Sequence, residues 1–284
     1  MMIIDARVRL PADLRSDMAE RPDDLTEGYD AILDISARAA YGRAELDAAM
    51  ETGGVDRALV HAEYEHGDYA DELNQGVADM VASAPERYLG VGTVSQELPL
   101  DIMRAVGQVA ACAALGFVGV SLQPAFFHMA IDDRRLYPVY AKTAEADLVA
   151  FVHTGINYGT THPFGNDHPM LLDQIACDFP KLRLVACHGG WPWTAEMVAV
   201  ARKHPGVYLE FGGLAPKYIA APGSGWEVVY RFMNSVLQDQ ILLGTDWPAF
   251  EIERALAEWR AMELKETVRD KLLGGNAARL FGLD

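Results

Sequence analysis

Three residues that could bind a metal ion or move protons each follow a short apolar run. His153 ends the run LVAFVH, His188 follows LRLVAC, and Asp246 follows ILLGT. Glycine or proline comes within two residues of each, as expected for turns that let a ligand approach the backbone closely. Imidazole and carboxylate groups that converge could hold a divalent cation or form an acid/base set. Their common position predicts one shared site.

Two arginines follow the first apolar run, in the segment Asp5-Ala6-Arg7-Val8-Arg9. A guanidinium stays protonated and has no lone pair for a cation, but it can grip a carboxylate with two hydrogen bonds or stabilise an oxyanion. Arg7 and Arg9 are therefore predicted to bind the carboxylate of a substrate.

The second apolar run ends in HAEYEH, residues 61–66. This run could supply a relocated metal site or form a solvated loop, and Glu63 is predicted to contact substrate. Trp191 and Trp247 flank the runs that end near His188 and Asp246. They could wall an aromatic substrate or cap a hydrophobic core.

Eight apolar, β-rich runs alternate with segments of helical periodicity, which predicts a single (β/α)₈ barrel over residues 1–284. A doubly wound sheet is disfavoured because no glycine follows the first run. In a barrel, residues after the strands gather at one end, which is where the residues above fall. The predicted strands are 2–8, 57–62, 88–94, 117–122, 148–153, 182–187, 207–211 and 241–244.

Two further segments lie outside this alternation. Residues 10–43 are too long for an ordinary loop, and such excursions are more often lids or caps. Residues 264–273 and 276–281 have helical patterns and are expected to pack on the outside of the barrel.

Composition restricts the partners. The 24 Lys and Arg residues against 41 Asp and Glu give a net charge of −17, which disfavours nucleic acids and anionic membranes. No apolar run is long enough to span a bilayer, and the N-terminus does not resemble a signal peptide. Three cysteines without paired spacing indicate reduced thiols, so we expect a cytoplasmic protein. With nucleic acids and membranes disfavoured, we expect its partner to be a small-molecule substrate.

The chain resembles the amidohydrolase-related proteins of the amidohydrolase superfamily, which include aminocarboxymuconate-semialdehyde decarboxylase, γ-resorcylate decarboxylase and 2-pyrone-4,6-dicarboxylate lactonase. The motifs that carry the resemblance are VHTG at 152–155, CHGGWPW at 187–193, LGTDWP at 243–248 and GNAARLF at 275–281. The resemblance implies a (β/α)₈ barrel, His153 as a metal ligand, His188 as the catalytic histidine, and Asp246 as a metal ligand or general base. It also implies a homo- or hetero-oligomer.

One departure affects the expected metal. The first strand of this family normally ends in Asp-x-His-x-His or Glu-x-His, where this chain has Arg7 and Arg9. A zinc or manganese ion would keep only His153, Asp246 and His188 as ligands, so the usual mononuclear site lacks its first-strand pair.

Three functions are consistent with these residues. The leading hypothesis is hydrolysis of a small carboxylated lactone or amide, with Asp246 as general base and His188 assisting. A second is metal-dependent, non-oxidative decarboxylation of an aromatic or muconate-type acid. A third is a catalytically degenerate subunit of a hetero-oligomeric enzyme.

Overall fold

The computed structural model describes residues 2–15, 24–62 and 69–283. Eight parallel strands form one sheet in sequence order, which confirms the predicted (β/α)₈ barrel. Their dense Val, Ile and Leu content suits strands that are covered on both faces. They are β1 (Ile4–Arg9), β2 (Arg57–His61), β3 (Tyr88–Thr93), β4 (Gly119–Leu122), β5 (Val149–His153), β6 (Arg183–Cys187), β7 (Val207–Glu210) and β8 (Ile241–Leu242).

The sheet closes between β8 and β1 through irregular backbone hydrogen bonds. Ala6 N donates to Leu243 O at 2.8 Å, Asp246 N to Arg7 O at 2.9 Å, and Arg9 N to Trp247 O at 2.8 Å. The chain after β8 therefore continues along β1, which brings Asp246 beside the two arginines.

Helices follow the strands along the chain, as the predicted alternation requires. They are α1 (Asp24–Leu33), α2 (Arg43–Gly53), α3 (Ala70–Ser83), α4 (Ile102–Ala114), α5 (Tyr137–Glu145), α6 (Leu171–Asp178), α7 (Thr194–Lys203), α8 (Glu227–Met233), α9 (Ile252–Ala261), α10 (Glu266–Asp270) and α11 (Asn276–Phe281). A π-helical segment, Lys271–Gly275, joins α10 to α11. Within the described residues, no helix is both long and apolar enough to cross a membrane.

The last helix corrects one expectation. Residues 276–281 do not pack on the outside of the barrel, because Ala277 and Leu280 belong to the same buried cluster as Ile4 and Phe151 of the barrel interior. The ring of Phe281 also stacks on Phe151, with centroids 6.2 Å apart. α11 therefore closes the end of the barrel opposite the strand termini that carry the polar residues.

The segment predicted as a lid or cap, residues 10–43, contains α1 between two short 3₁₀ turns, Ala12–Leu14 and Ser36–Arg38, while residues 16–23 lie outside the described residues. Its far end is held to the loop after β8, because Arg38 Nε donates to Pro248 O at 2.7 Å. At the first residue of α1, the Asp24 carboxylate accepts a hydrogen bond from Thr161 N at 2.6 Å. α1 thus lies between the loops that follow β5 and β8.

A β-bulge decides which side chains of β1 face inward. Asp5 pairs with Ala58 and Val8 pairs with Val60, so β1 has one extra residue in this interval. An extra residue exchanges the two faces of a strand beyond it. Ile4 and Ala6 face the interior before the bulge, Val8 joins the outer core after it, and Arg7 and Arg9 both point into the mouth of the barrel.

Candidate active site

Strand alternation also positions the histidine of β5. Val149 and Phe151 face the barrel interior, and a period of two places His153 next in that series, at the mouth. His61 occupies the corresponding place on β2, where its ring meets Phe151 edge-on with centroids 4.7 Å apart. His61 donates from Nε2 to Ala6 O at 3.0 Å and is fully buried. Burial, and then the charge of Arg7, lower its pKa well below the usual value.

Asp246 lies between the two arginines. Its Oδ1 accepts from Arg7 Nε and from Arg9 Nε, both at 3.1 Å, and its Oδ2 accepts from Arg9 Nη2 at 3.0 Å. Burial alone would raise the pKa of Asp246, but the charges of Arg9 and Arg7 outweigh it and hold the pKa well below the usual range. The three residues form a hydrogen-bonded cluster, and Arg9 remains 16% exposed toward the cavity.

The backbones of His188 and Asp246 are strained. Their φ angles are +63° and +59°, in the left-handed region that residues with a side chain rarely adopt. Such conformations persist only where surrounding contacts enforce them, and they are concentrated at functional sites. Two of them, after β6 and after β8 at the same end of the barrel, support a functional role for both residues.

His188 is neutral. Its Nδ1–H donates to Gly212 O at 2.8 Å, so Nε2 carries the lone pair. Burial lowers the pKa of His188 to about 3, assisted by the charge of Arg7 and by His153, whose ring centroid lies 4.9 Å away. His188 is therefore a hydrogen-bond acceptor at neutral pH.

His153 has partners on both ring nitrogens. Nδ1 lies 2.8 Å from Asp167 Oδ1, and Nε2 lies 3.1 Å from the hydroxyl of Tyr29 on α1. Asp167 is fully buried, and its Oδ2 accepts from Asn157 Nδ2 at 2.6 Å. Neither Tyr29 nor Asp167 was predicted as a site residue from the sequence. Nothing in the sequence indicates that α1 returns over the mouth of the barrel or that the loop after β5 folds back on His153.

Two buried carboxyl groups lie below this layer. Burial raises the pKa of Glu210 to about 8 in spite of the charge of Arg7, so Glu210 is mostly protonated at pH 7. Its Oε1 accepts from Gly212 N, and its Oε2 has no hydrogen-bond partner among the described residues. Burial also raises the pKa of Asp5 to about 7, against the opposing hydrogen bond from the Thr245 hydroxyl.

The arginine cluster, His153 and His188 line a cavity of about 300 Å³. Most of its walls are aromatic or aliphatic, with the charged cluster and two histidines at one end. The lining residues are Arg7, Arg9, Tyr29, Leu33, Gln123, Phe126, His153, Ile156, Tyr158, His188, Trp191, Gly213, Leu214, Tyr218, Ser224, Trp226 and Asp246.

The structure thus brings together Arg7, Arg9, His153, His188, Asp246 and Trp191 from the sequence prediction. Trp247 is not among the described residues that line this cavity; it is 3% exposed and borders a separate cleft beside Tyr41. Glu63 lies outside the described residues.

The described donor set does not fit a divalent cation of the expected kind. Both oxygens of Asp246 accept from guanidinium groups, and both nitrogens of His153 already have partners. Cationic side chains stand where the first-strand ligands would be, and they repel a metal ion. Among the described residues, one trio has metal-like spacing, Asp173, Cys177 and His204, on the outer helices. There the ammonium of Lys203 lies 2.7 Å from the Asp173 carboxylate.

Fold and site together define a (β/α)₈-barrel protein with a cluster of polar side chains in a cavity at the carboxyl ends of its strands. The chain belongs to the amidohydrolase family, whose model matches residues 4–283. Its barrel superposes on an uncharacterised TIM-barrel protein from Bordetella bronchiseptica with a TM-score of 0.80 and 28% identity over 99% of both chains.

Characterised relatives carry out two reactions. The chain is 24% identical to 2-amino-3-carboxymuconate-6-semialdehyde decarboxylase of Dictyostelium discoideum over 76% of this chain and 67% of that protein. It is 29% identical to 2-keto-4-carboxy-3-hexenedioate hydratase of Sphingobium, but the match spans 43% of this chain and only 40% of the hydratase.

A solved relative contains metal. The 5-carboxyvanillate decarboxylase of Novosphingobium aromaticivorans, with bound manganese, shares the fold with a TM-score of 0.70 and 16% identity over 99% of this chain and 97% of that one. The family model confirms the resemblance inferred from the motifs, and the fold is shared with a protein whose structure contains manganese.

Proposed function

We propose that this protein is an enzyme that hydrolyses a small carboxylated lactone without using a metal ion as the electrophile. The observation that carries the proposal is the Arg7–Asp246–Arg9 cluster at the mouth of the barrel. Guanidinium groups can grip a carboxylate with two hydrogen bonds, and both arginines line the cavity where a substrate carboxylate would lie.

The rest of the cavity supports a cyclic acid as substrate. His188 and Glu210 are mostly uncharged at neutral pH, so they do not cancel the positive charge of the two arginines. The rings of Tyr29, Phe126 and Trp191 line a space of about 300 Å³, which is at the small end for ligand sites and suits a single ring with short substituents. An amide remains within the hypothesis, although lactones are the more reactive acyl group.

The reaction needs an activated water and a partner for the developing oxyanion. His188 Nε2 accepts a hydrogen bond from the water and orients it, and a base in the cavity takes the proton of the water as its oxygen bonds to the acyl carbon. Arg9 faces the cavity and stabilises the oxyanion. The ring C–O bond then breaks, and the proton returns to the leaving oxygen. Asp246 is a weak base because its pKa is lowered by the two arginines. In this proposal it orients Arg7 and Arg9 by accepting their hydrogen bonds, and it does not act as the general base that the sequence suggested.

A lactone panel tests this proposal. We expect ring opening of 2-pyrone-4,6-dicarboxylate, followed by ultraviolet absorbance, and slower turnover of uncharged dihydrocoumarin. Arg9→Gln should lower kcat/KM for the dicarboxylate by about 10²–10³-fold, as for loss of an oxyanion partner. Its effect on dihydrocoumarin should be smaller, because that lactone loses only the oxyanion contact, whereas the dicarboxylate also loses a partner for its carboxylate. Equal turnover of both lactones by the wild type would refute the role of the arginines in substrate binding.

Decarboxylation is the second candidate, because relatives with this fold catalyse it. It is tested with 2,6-dihydroxybenzoate and 5-carboxyvanillate in the presence of added manganese, with CO₂ release as the readout. Release of CO₂ without lactone opening would replace the first proposal. Failure of both panels would contradict both enzyme proposals and favour the degenerate-subunit hypothesis.

A further inference from the structure

A chain of three hydrogen-bonded groups runs from α1, through the cavity wall, to a buried carboxylate behind it. It starts at the Tyr29 hydroxyl on α1, passes through the imidazole of His153 at the end of β5, and ends at the Asp167 carboxylate. Tyr29 and His153 line the cavity, whereas Asp167 is completely buried behind His153.

The buried end fixes the direction of these hydrogen bonds. Both Asp167 oxygens act as acceptors, Oδ1 toward His153 Nδ1 and Oδ2 toward the amide of Asn157. A neutral His153 therefore carries its proton on Nδ1 and its lone pair on Nε2, which accepts from the Tyr29 hydroxyl. A carboxylate behind a histidine both orients the ring and stabilises the imidazolium that forms when the histidine accepts a proton.

The position of Tyr29 depends on close packing of α1. A Cβ at Gly28 would overlap the carbonyl oxygen of Tyr158, so glycine lets the helix come into contact with the loop after β5. The ring of Tyr29 also meets the rings of Tyr158 and Phe126, with centroids 5.0 and 5.9 Å away. Its hydroxyl is therefore held in the cavity by contacts on both sides of the ring.

We propose that Tyr29 is a catalytic residue, and that His153 and Asp167 form the base that accepts its proton. In this chain the strand-five histidine thus serves a proton relay instead of a metal ion. The inference rests on the proposed hydrolysis for its chemical step. As the water oxygen bonds to the acyl carbon, its proton moves to the Tyr29 oxygen, and the Tyr29 proton moves to His153 Nε2. When the ring C–O bond breaks, the same path returns a proton to the leaving oxygen.

His188 is the alternative proton acceptor, and its surroundings disfavour that role. Its Nδ1 faces a backbone carbonyl, which carries no charge, and it lies near the guanidinium of Arg7. An imidazolium at His153 faces the Asp167 carboxylate instead, where opposite charges attract.

The first test does not require a substrate. In ¹⁵N-labelled protein, long-range proton–nitrogen spectra report which imidazole nitrogen carries the proton, and a His153→Gln variant assigns the signals. We expect a proton on Nδ1 and a free lone pair on Nε2, and Tyr29→Phe should shift the Nε2 resonance. The matched control is Tyr137→Phe, which removes a hydroxyl that donates to Asp178 on the outer helices and should leave the His153 resonances unchanged. A proton on Nε2, or no response to Tyr29→Phe, would overturn the relay.

The second test uses turnover of 2-pyrone-4,6-dicarboxylate. Tyr29→Phe should lower kcat by about 10²-fold or more with little change in KM, as for loss of a general base, while Tyr137→Phe, outside the cavity, keeps kcat near the wild-type value. An unchanged kcat in Tyr29→Phe would refute the catalytic role even if the hydrogen bonds are present. If the wild type opens no lactone, the proposed hydrolysis and this proton path both fail, and the spectra then report only the hydrogen bonds.

Discussion

Replacing Asp246 by asparagine tests the charged cluster most directly. The amide has nearly the same shape as the carboxylate but carries no charge, so two guanidinium groups would remain beside each other without their counter-ion. One amide position would also present an N–H donor to an arginine donor. We therefore expect Asp246→Asn to destabilise the fold as well as to reduce activity.

The size of the effect follows from the geometry. Arg7 and Asp246 are almost completely buried, and Arg9 is largely buried. Opposite charges about 4 Å apart attract by roughly 4 kcal/mol at an effective dielectric constant near 20. Much of that is offset by the desolvation that the pairs have already undergone. Loss of one partner from a buried pair costs about 3–5 kcal/mol, so the melting temperature should fall by about 5–15 °C.

Urea unfolding at pH 7 measures this loss. The control is Asp239→Asn, since Asp239 forms half-exposed ion pairs with Lys271 and Arg279 and should cost less than about 1 kcal/mol. The folded pKa of Asp246 lies below its usual 3.8, so its contribution is fully present above that pH and is lost only as pH falls through the folded value. The difference between wild type and Asp246→Asn should therefore be constant from pH 5 to 8. A loss no larger than that of the control would refute the cluster.

Three further predictions concern the packing around the site. Gly244→Ala should lower the free energy of unfolding by about 2–4 kcal/mol in urea titrations, because its Cβ would overlap the carboxyl of Glu210; an unchanged midpoint would show that this carboxyl lies elsewhere. The pKa of Glu210 is raised to about 8 from 4.5, so its protonated form stabilises the fold at low pH, and this contribution is lost as the pH rises to about 8. Glu210→Gln, which does not titrate, should therefore lose less stability than the wild type between pH 6.5 and 8. If the free energies of unfolding of the two proteins fall in parallel over this range, the raised pKa is contradicted. Gly28→Ala should displace α1 from the Tyr158 carbonyl and speed limited proteolysis in this helix. The control is Gly165→Ala, whose Cβ would meet nothing within 4 Å and which should leave the cleavage rate unchanged. Equal cleavage rates in the two variants would refute the close packing at Gly28.

The sequence was sufficient for the barrel and for the residues at its strand ends. Apolar runs set the strands, and parallel strands in a barrel end on the same face, so His153, His188 and Asp246 had to be neighbours. The ion pairs of Asp246 with Arg7 and Arg9 could not be derived, because they depend on the bulge in β1 and on the irregular path after β8.

The relay could not be read from the sequence for a different reason. Tyr29 lies 124 residues before its partner His153, in a segment whose folding depends on contacts with two loops. Asp167 lies 14 residues after His153, in a loop without a periodic pattern. The sequence left Trp247 as either a cavity wall or a cap on the hydrophobic core, and backbone pairing with β1 turns it toward a separate cleft.

The bulge in β1 makes the number of residues in that strand as important as their identity. Strict alternation would give a six-residue strand three inward side chains, but the change of parity gives β1 four, two apolar ones for the floor and two cationic ones for the mouth. Deleting either residue between Asp5 and Val8 would remove the bulge and restore strict alternation, so the strand would present only three inward side chains and would lose either Ala6 from the floor or Arg7 from the mouth. We therefore expect this strand to tolerate single substitutions far better than single-residue deletions, a contrast that a deletion scan of β1 would reveal.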